Sequence, residues 1–499
     1  MPISFNNIPD TTRTPGVYTE VDNSRALQGL VQNPHKALII GQKVSEGSAE
    51  EEMLYAITKE DMGYSYFGPG SILARMCAKF KEANPNTELF AIALPDDGAA
   101  VKAVGTIHLS QAMSGVAGCT GTQTLYLMIN GRKAYTVLTS GWSLADVNSA
   151  VVDTVNDDSH LPVVASTTAD STIDLTAVNA GEAGNNIDFR FNYYTGQSNP
   201  TFFTDSILVS AMASGANNPD IGDVWAVIDG EQFHYIANPY DDAANLAELE
   251  GELEDRFGPL EDLQGHGFTG YRGTQANCTT HGNDRNSPFN TNIGFYDGPN
   301  APEEWAASLC GVAAKNLNND PARPLQFLKL PGILPPPASS RFTRAEREIL
   351  LYDGIATWIV DSGGNVLIER CITSYQSNAL GLPDPSYLDV QTLATLGEIR
   401  FQYKTRMVNR FIIPRFKLAD DTFPVQPGSY VVTPKTLKQE IISLFALLRD
   451  QGLIENLDDF IDNLVIERDS ADANRVNVLM PPDLINQFRV LAGLIQFIL

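Results

Sequence analysis

The chain is poor in cysteine, in histidine and in positive charge. Its 499 residues hold five cysteines, six histidines, and 34 Lys plus Arg against 60 Asp plus Glu, a formal net charge of −26. The cysteines (Cys77, Cys119, Cys278, Cys310, Cys371) are dispersed and form no Cys-x-x-Cys pair, which excludes a disulfide framework and fits a chain made in a reducing cytosol. No His-x-x-x-His pair is present. The negative charge argues against direct binding to nucleic acid or to an anionic membrane. No apolar run approaches the roughly 18 to 20 residues of a membrane span. The opening Met-Pro-Ile-Ser-Phe-Asn-Asn has neither a basic nor an apolar leader region, so a cleaved secretion signal is not expected. A Gly-x-x-x-x-Gly-Lys-Ser/Thr loop is missing, as is a Gly-x-Gly-x-x-Gly fingerprint between a strand and a helix, so nucleotide chemistry has no support and no cofactor is expected.

What is present is a chain long enough for roughly three domains, each with its own core. Val17, Thr19 and Val21 alternate with Tyr18 and Glu20 after Pro15-Gly16, the pattern of a short strand in an N-terminal arm, residues 1–22. Residues 23–98 then read as strand, helix, strand: Ala37 to Gly41, a helix opened by Pro69, and Leu89 to Leu94, which indicates an α/β unit. Residues 99–221 are rich in Thr, Ser, Gly and Asn, with strand-like runs at 124–129, 133–139, 172–176 and 187–194 and a hairpin turn at Asn130-Gly131, the texture of a β-rich inserted domain.

Strand and helix alternate again over 222–385. Val224 to Ile228 reads as a buried strand, Leu246, Leu249, Leu253 and Phe257 as one face of a helix, and Ile293 to Tyr296 and Leu325 to Leu330 as strands around a helix from Pro302 to Leu317. Residues 357–360 and 366–371 form a predicted hairpin. Over 386–499, Leu393, Leu396, Ile399, Tyr403 and Met407 repeat at helical spacing, and a second helix starts with Thr433 as cap and Pro434 in its first turn. The last twelve residues, Phe488 to Leu499, carry one charge, and Val490, Leu491, Leu494, Ile495, Phe497 and Ile498 make them apolar on both alternating faces. Such a segment needs cover on both sides, either within its own sheet or on the sheet of another molecule.

Two catalytic or metal constellations are weak. Asp229, His266 and Ser308 follow the chain order of subtilisin-type hydrolases, yet Ser308 falls inside a predicted helix, away from the exposed turn and oxyanion donors that a nucleophile needs. His266, Cys278, His281 and Asp284 offer a ligand-like Cys-x-x-His but not two tight ligand pairs. Neither a catalytic nor a metal role is expected. Charge segregation says more. Residues 241–262 hold nine acidic side chains with Arg256 as the one base, Arg400, Lys404, Arg406, Arg410, Arg415 and Lys417 cluster, and Asp458, Asp459 and Asp462 follow the last long helix. Each cluster is either a solvated face or half of an interface repeated between copies or facing an inner partner.

Pro15-Gly-Val-Tyr-Thr-Glu-Val-Asp-Asn-Ser-Arg-Ala26, Ala37-Leu-Ile-Ile-Gly-Gln42, Phe67-Gly-Pro-Gly-Ser-Ile-Leu-Ala74 and Met480-Pro-Pro-Asp-Leu-Ile-Asn-Gln-Phe-Arg489 through Leu499 resemble, in order, the contractile tail sheath proteins of Mu-like bacteriophages. The resemblance implies a non-enzymatic virion subunit with a subtilisin-like α/β core over 222–385, an outward-facing inserted domain and terminal arm strands donated to neighbouring copies. It implies hexameric rings stacked around an inner tail tube, with baseplate and tail terminator proteins as further partners, assembled in the host cytoplasm and contracting to deliver the genome. The competing reading is a host-adhesion or glycan-binding virion protein, using Tyr193, Tyr194 and Phe202 of the β-rich domain.

Overall fold

Ala37 to Ile40, an unbroken apolar run, are fully buried in the strand Lys36–Gln42 near the middle of an eight-stranded sheet. The computed structural model describes residues 14–17, 19, 30–115, 118–168, 172–424, 426 and 429–498. The sheet order is Val366–Arg370, Ile355–Val360, Asn290–Phe295, His266–Arg272, Tyr235–Ala237, Lys36–Gln42, Glu88–Leu94 and Leu54–Ile57. The six inner strands are parallel and the two outer ones antiparallel. Inner parallel strands are covered on both faces, which is why Lys36–Gln42 and Glu88–Leu94 carry continuous rather than alternating apolar residues. The cover is legible in His266–Arg272: a Cβ at Gly267 would press on Leu249, whereas one at Gly270 would collide with the Pro302 carbonyl. Those positions point to opposite faces, so the helices Ala243–Phe257 and Pro302–Asn319 lie on opposite sides of the sheet. Helix Ile72–Ala83, capped by Ser71, packs beside Pro302–Asn319.

The inserted region builds its own core from Ile107, Leu125, Leu127, Val147, Val151, Leu175 and Phe189. One four-stranded sheet runs Leu208–Ala213, Val104–His108, Ile173–Ala177, Val163–Thr167, and a three-stranded one runs Arg132–Leu138, Gln123–Ile129, Phe189–Phe191. The expected hairpin closes at Asn130 and Gly131 with φ of +46° and +74°, the left-handed pair that a two-residue turn of this kind requires.

The chain divides into two compact units, residues 34–397 with 486–499, and residues 1–33 with 398–485. In the smaller unit, helix Pro434–Asp450 buries Ile441, Leu444, Phe445 and Leu448, and Phe445 stacks on Phe460 with centroids 4.0 Å apart. Gln402 holds Val31 from both sides, accepting from its N–H at 3.1 Å and donating to its carbonyl at 2.6 Å. The division differs from a terminal domain spanning 386–499. Gln487 and Arg489 tie the last segment to the larger unit, through the Ala322 carbonyl at 2.6 Å and Asp389 at 2.7 Å.

Three local expectations are corrected. Val224 to Ile228 lies in a helix, Gly222–Ile228, with Val224, Trp225 and Ile228 buried as one helical face, and the strand comes later at Tyr235–Ala237. A five-residue apolar run has no period that separates the two outcomes. Leu325 to Leu330 is not a strand: Phe327 has φ of +56°, which breaks the extended run, so only a bridge from Lys329 to Leu367 forms. Of residues 187–194 only Phe189–Phe191 pairs. Tyr18, Glu20 and Val21 of the N-terminal arm lie outside the described residues, and Val17 and Thr19 lie in no strand.

Candidate assembly surfaces

In an open α/β sheet, ligands bind beyond the carboxyl ends of the strands where the order reverses, often at a helix N-terminus. Here that place lies at the end of Lys36–Gln42, which has Glu88–Leu94 on one side and Tyr235–Ala237 on the other. The inserted region lines it: Lys43, Val44 and Asp96 face Val155, Val163 and Val178 across a cavity of about 740 Å³. Asn179 accepts the Ile72 N–H at the start of helix Ile72–Ala83 at 3.0 Å and donates to the Lys43 carbonyl at 2.8 Å. Gln42 donates to the Ala180 carbonyl at 2.6 Å and to Asp96 at 2.5 Å. Asn179 and Ala180 thereby anchor the inserted region at the carboxyl end of the strand.

The hydrolase-like residues are separately engaged. Ser308 is buried in mid-helix and donates to the Pro331 carbonyl at 3.0 Å, His266 shares a 2.8 Å hydrogen bond with Thr291, and Asp229 ends a helix with its carbonyl taken by Arg256 at 2.7 Å. Burial pushes the Cys278 thiol up to about 12, and it donates to the Gly273 carbonyl, while His281 stacks on Tyr271 at 3.9 Å. Among the described residues no group of three His, Cys, Asp or Glu is placed to hold a metal ion. The aromatic residues of the adhesion reading are also occupied: Tyr193 donates to the Pro335 carbonyl at 2.8 Å, Tyr194 lies under Lys133 at 4.5 Å, and Phe202 is buried against Phe203.

Sequence reasoning missed the polar joint between inserted region and core. Arg75 bridges Glu303 at 2.8 Å and Glu304 at 2.9 Å, all three buried. Asn130, from the hairpin turn, donates to Glu304 at 2.6 Å and accepts the Ala301 N–H at 2.8 Å, and Asn300 donates to Glu304 at 2.7 Å. In sequence, Glu303 and Glu304 read only as acidic residues suited to a helix N-terminus; nothing marked Arg75, 228 residues away, as their partner.

Exposed apolar side chains are scattered over the larger unit, as at Leu260, Tyr352 and Leu380, but cluster at the chain end. Beyond Arg489 the chain pairs with no strand among the described residues, and Val490, Leu491, Leu494, Ile495, Phe497 and Ile498 are between 79% and 99% exposed. Arg489 itself is pinned by Asp389, which Arg370 also holds at 3.1 Å. In the smaller unit, Val465–Arg468 and Val476–Leu479 form a two-stranded antiparallel ribbon with Val465 and Leu479 exposed. Such a ribbon is marginal alone and keeps open edges. The basic cluster is partly consumed within the chain, because Arg406 at 2.5 Å and Arg410 at 3.1 Å both hold Glu440; Arg400 and Lys404 are also engaged. Asp458 and Asp459 open the helix Leu457–Asn463 and stay exposed with Asp462, stabilised by the positive end of the helix. The acidic run 241–262 divides as well, since Asp242 caps the helix Ala243–Phe257 and burial pushes the Asp241 carboxyl up to about 7.

The candidate catalytic and metal residues are thus engaged separately, and the apolar chain end is uncovered. Residues 214–374 match the phage tail sheath protein central domain, and residues 383–498 match the phage tail sheath C-terminal domain. The Mu-like prophage FluMu tail sheath protein of Haemophilus influenzae is 38% identical over the whole of both chains. The chain belongs to the phage tail sheath proteins. Among solved structures, a sheath tail protein from Desulfitobacterium hafniense is 14% identical, with a TM-score of 0.48 over 94% of this chain and all of that one. The contracted helical sheath of the anti-feeding prophage is 10% identical, with a TM-score of 0.49 over 97% of this chain and 99% of that one.

Proposed function

We propose that this chain is the repeating subunit of a contractile phage tail sheath, stacked as hexameric rings on an inner tail tube and working in the virion to drive that tube through the host envelope. The observation that carries this reading is the uncovered apolar segment 490–498, rooted at Arg489 and without a strand partner among the described residues. A chain end of this kind is stabilised by adding itself to a sheet edge of a neighbouring copy, with backbone hydrogen bonds for affinity and alternating side chains for register. The ribbon 465–468 with 476–479 supplies edges that a neighbour's segment can extend. A head-to-tail contact that does not close gives an open helical array, and strands held by neighbours let each body rotate while the linkage persists. The N-terminal arm, 17–21, is assigned the same role on the family resemblance. The inserted domain lies on the outer surface in this reading, the α/β core is the subtilisin-like part of the family, and baseplate and terminator proteins cap the array assembled in the host cytoplasm.

Negative-stain electron microscopy at rising protein and salt concentration tests the proposal. Hollow striated tubes or stacked rings are the expected result, and a particle that stays monomeric both alone and with its tube protein would overturn it. Asp458 and Asp459 are assigned to the tube-facing side. Reversing both to Lys is expected to lower tube co-assembly at least tenfold while leaving the melting temperature within about 2 °C, since exposed charges contribute little to folding. Unchanged co-assembly would remove this patch from the tube interface.

A further inference from the structure

Three of the six histidines meet in one small cavity of the larger unit. His35 and His234 stack with ring centroids 4.1 Å apart, and His266, on the adjoining strand, lines the same space. The cavity measures about 30 Å³, the room of a single water. Its far side is closed by Val390 and Leu393 of the helix Val390–Met407. One nitrogen of each ring is engaged: His35 Nδ1 with the Tyr235 hydroxyl at 2.8 Å, His234 Nδ1 accepting the Lys36 N–H at 3.3 Å, and His266 Nε2 with Thr291 at 2.8 Å. His234 Nε2 and His266 Nδ1 are buried without a partner.

A proton added here finds no counter-charge. No carboxylate lines the cavity among the described residues. Of the charged groups on the surrounding elements, Lys36 faces His234 and is itself paired with Glu231 at 2.5 Å. Arg256 is held by Glu252, Glu250 lies 3.9 Å from Arg285, and Asp389 is taken by Arg370 and Arg489. Burial accordingly pushes His35 down to about 4, His266 to about 3 and His234 to about 2, the last also through His35 and Lys36. Neutral rings in the fold against ordinary values near 6.5 in the unfolded chain mean full stability above about pH 6.5, lost progressively as the pH falls toward 4.

We propose that this cavity is an acid-sensitive latch, in which protonation of His35, His234 and His266 opens the first two turns of helix Val390–Met407 and admits water to the rings. The helix is the element that yields because His234 and His266 sit at strands held by the parallel ladder, whereas Val390 and Leu393 meet the cavity by apolar contact and the helix's polar ties there, Asp389 with Arg370 and Arg489 and Gln391 with Arg489, are side-chain contacts at its start. The latch is a property of the folded chain and does not depend on the sheath reading.

Hydrogen-exchange protection of amides 393–397 in the full-length protein, corrected for intrinsic rates, provides the test. Between pH 7.5 and 5.0 it is expected to fall about tenfold or more, while amides of the strand Gln123–Ile129 keep theirs. His35→Gln, His234→Gln and His266→Gln, made singly, are each expected to reduce that fall. A flat wild-type profile would overturn the proposal, as would a fall undiminished in all three variants. Should the variants not fold, NMR titration of the wild-type imidazoles decides: three rings that stay neutral down to pH 5 support the latch, and ordinary titration near pH 6.5 sinks it.

Discussion

Deleting residues 490–499 while keeping Arg489 is expected to leave a folded monomer that melts within about 2 °C of the full-length protein and forms no tubes under conditions where the intact chain does. The folding side of this result follows from exposure, because side chains this exposed contribute within about 0.5 kcal/mol each. The assembly side follows from what cover would supply. Burying six aliphatic or aromatic side chains on a neighbour is worth roughly 1.5 to 3 kcal/mol each before the cost of association, enough to decide whether copies hold together. Calorimetry and electron microscopy on the same preparation separate the two. A truncated chain that still polymerises would refute the donated strand, and one that is globally unfolded would make the segment part of the subunit's own core.

Arg75→Met is expected to cost about 3 to 5 kcal/mol in urea unfolding at pH 7.5, the largest effect of any single substitution considered for this chain. The substitution keeps the bulk of the side chain but leaves Glu303 and Glu304 facing each other in the interior without their cation. Burial already holds the Glu303 carboxyl above its ordinary value. A carboxyl raised in the fold is destabilising above its folded value and ceases to be so as the pH falls toward the ordinary Glu range near 4.3. The gap between wild type and variant should therefore narrow from pH 7.5 to 5.5, with the histidine contribution cancelling because both proteins carry it. A gap that stays constant would show that the loss comes from packing rather than from uncompensated charge. The same variant should loosen the inserted domain, whose turn residue Asn130 docks on Glu304.

Much of the architecture was legible in the sequence because it is written in local periodicity. The run 37–41, the helix face of Leu246, Leu249, Leu253 and Phe257, the Asn130-Gly131 turn and the Thr433-Pro434 helix start each carry a signal within a few residues, and each forms as expected. The failures have a common cause. At 224–228 and 325–330 the apolar run is too short for its period to separate helix, strand and irregular cover, so neighbouring elements decide. The charge clusters show the same limit: that Arg406 and Arg410 serve Glu440 depends on how two helices pack, which spacing along one of them does not encode.

By itself, the sequence determined the α/β alternation, the β-rich insertion, the apolar character of the chain end and, through ordered family segments at both ends of the chain, the resemblance to tail sheath proteins. Only the tertiary structure decided that Asn179 and Ala180 anchor the inserted region at the sheet's reversal, that Arg75 joins Glu303 and Glu304 across 228 residues or more, and that three scattered histidines share one cavity. Periodicity and turn chemistry act over a few residues and survive in a linear reading. Pairings across hundreds of residues are set by which surfaces the packed sheet and helices bring together.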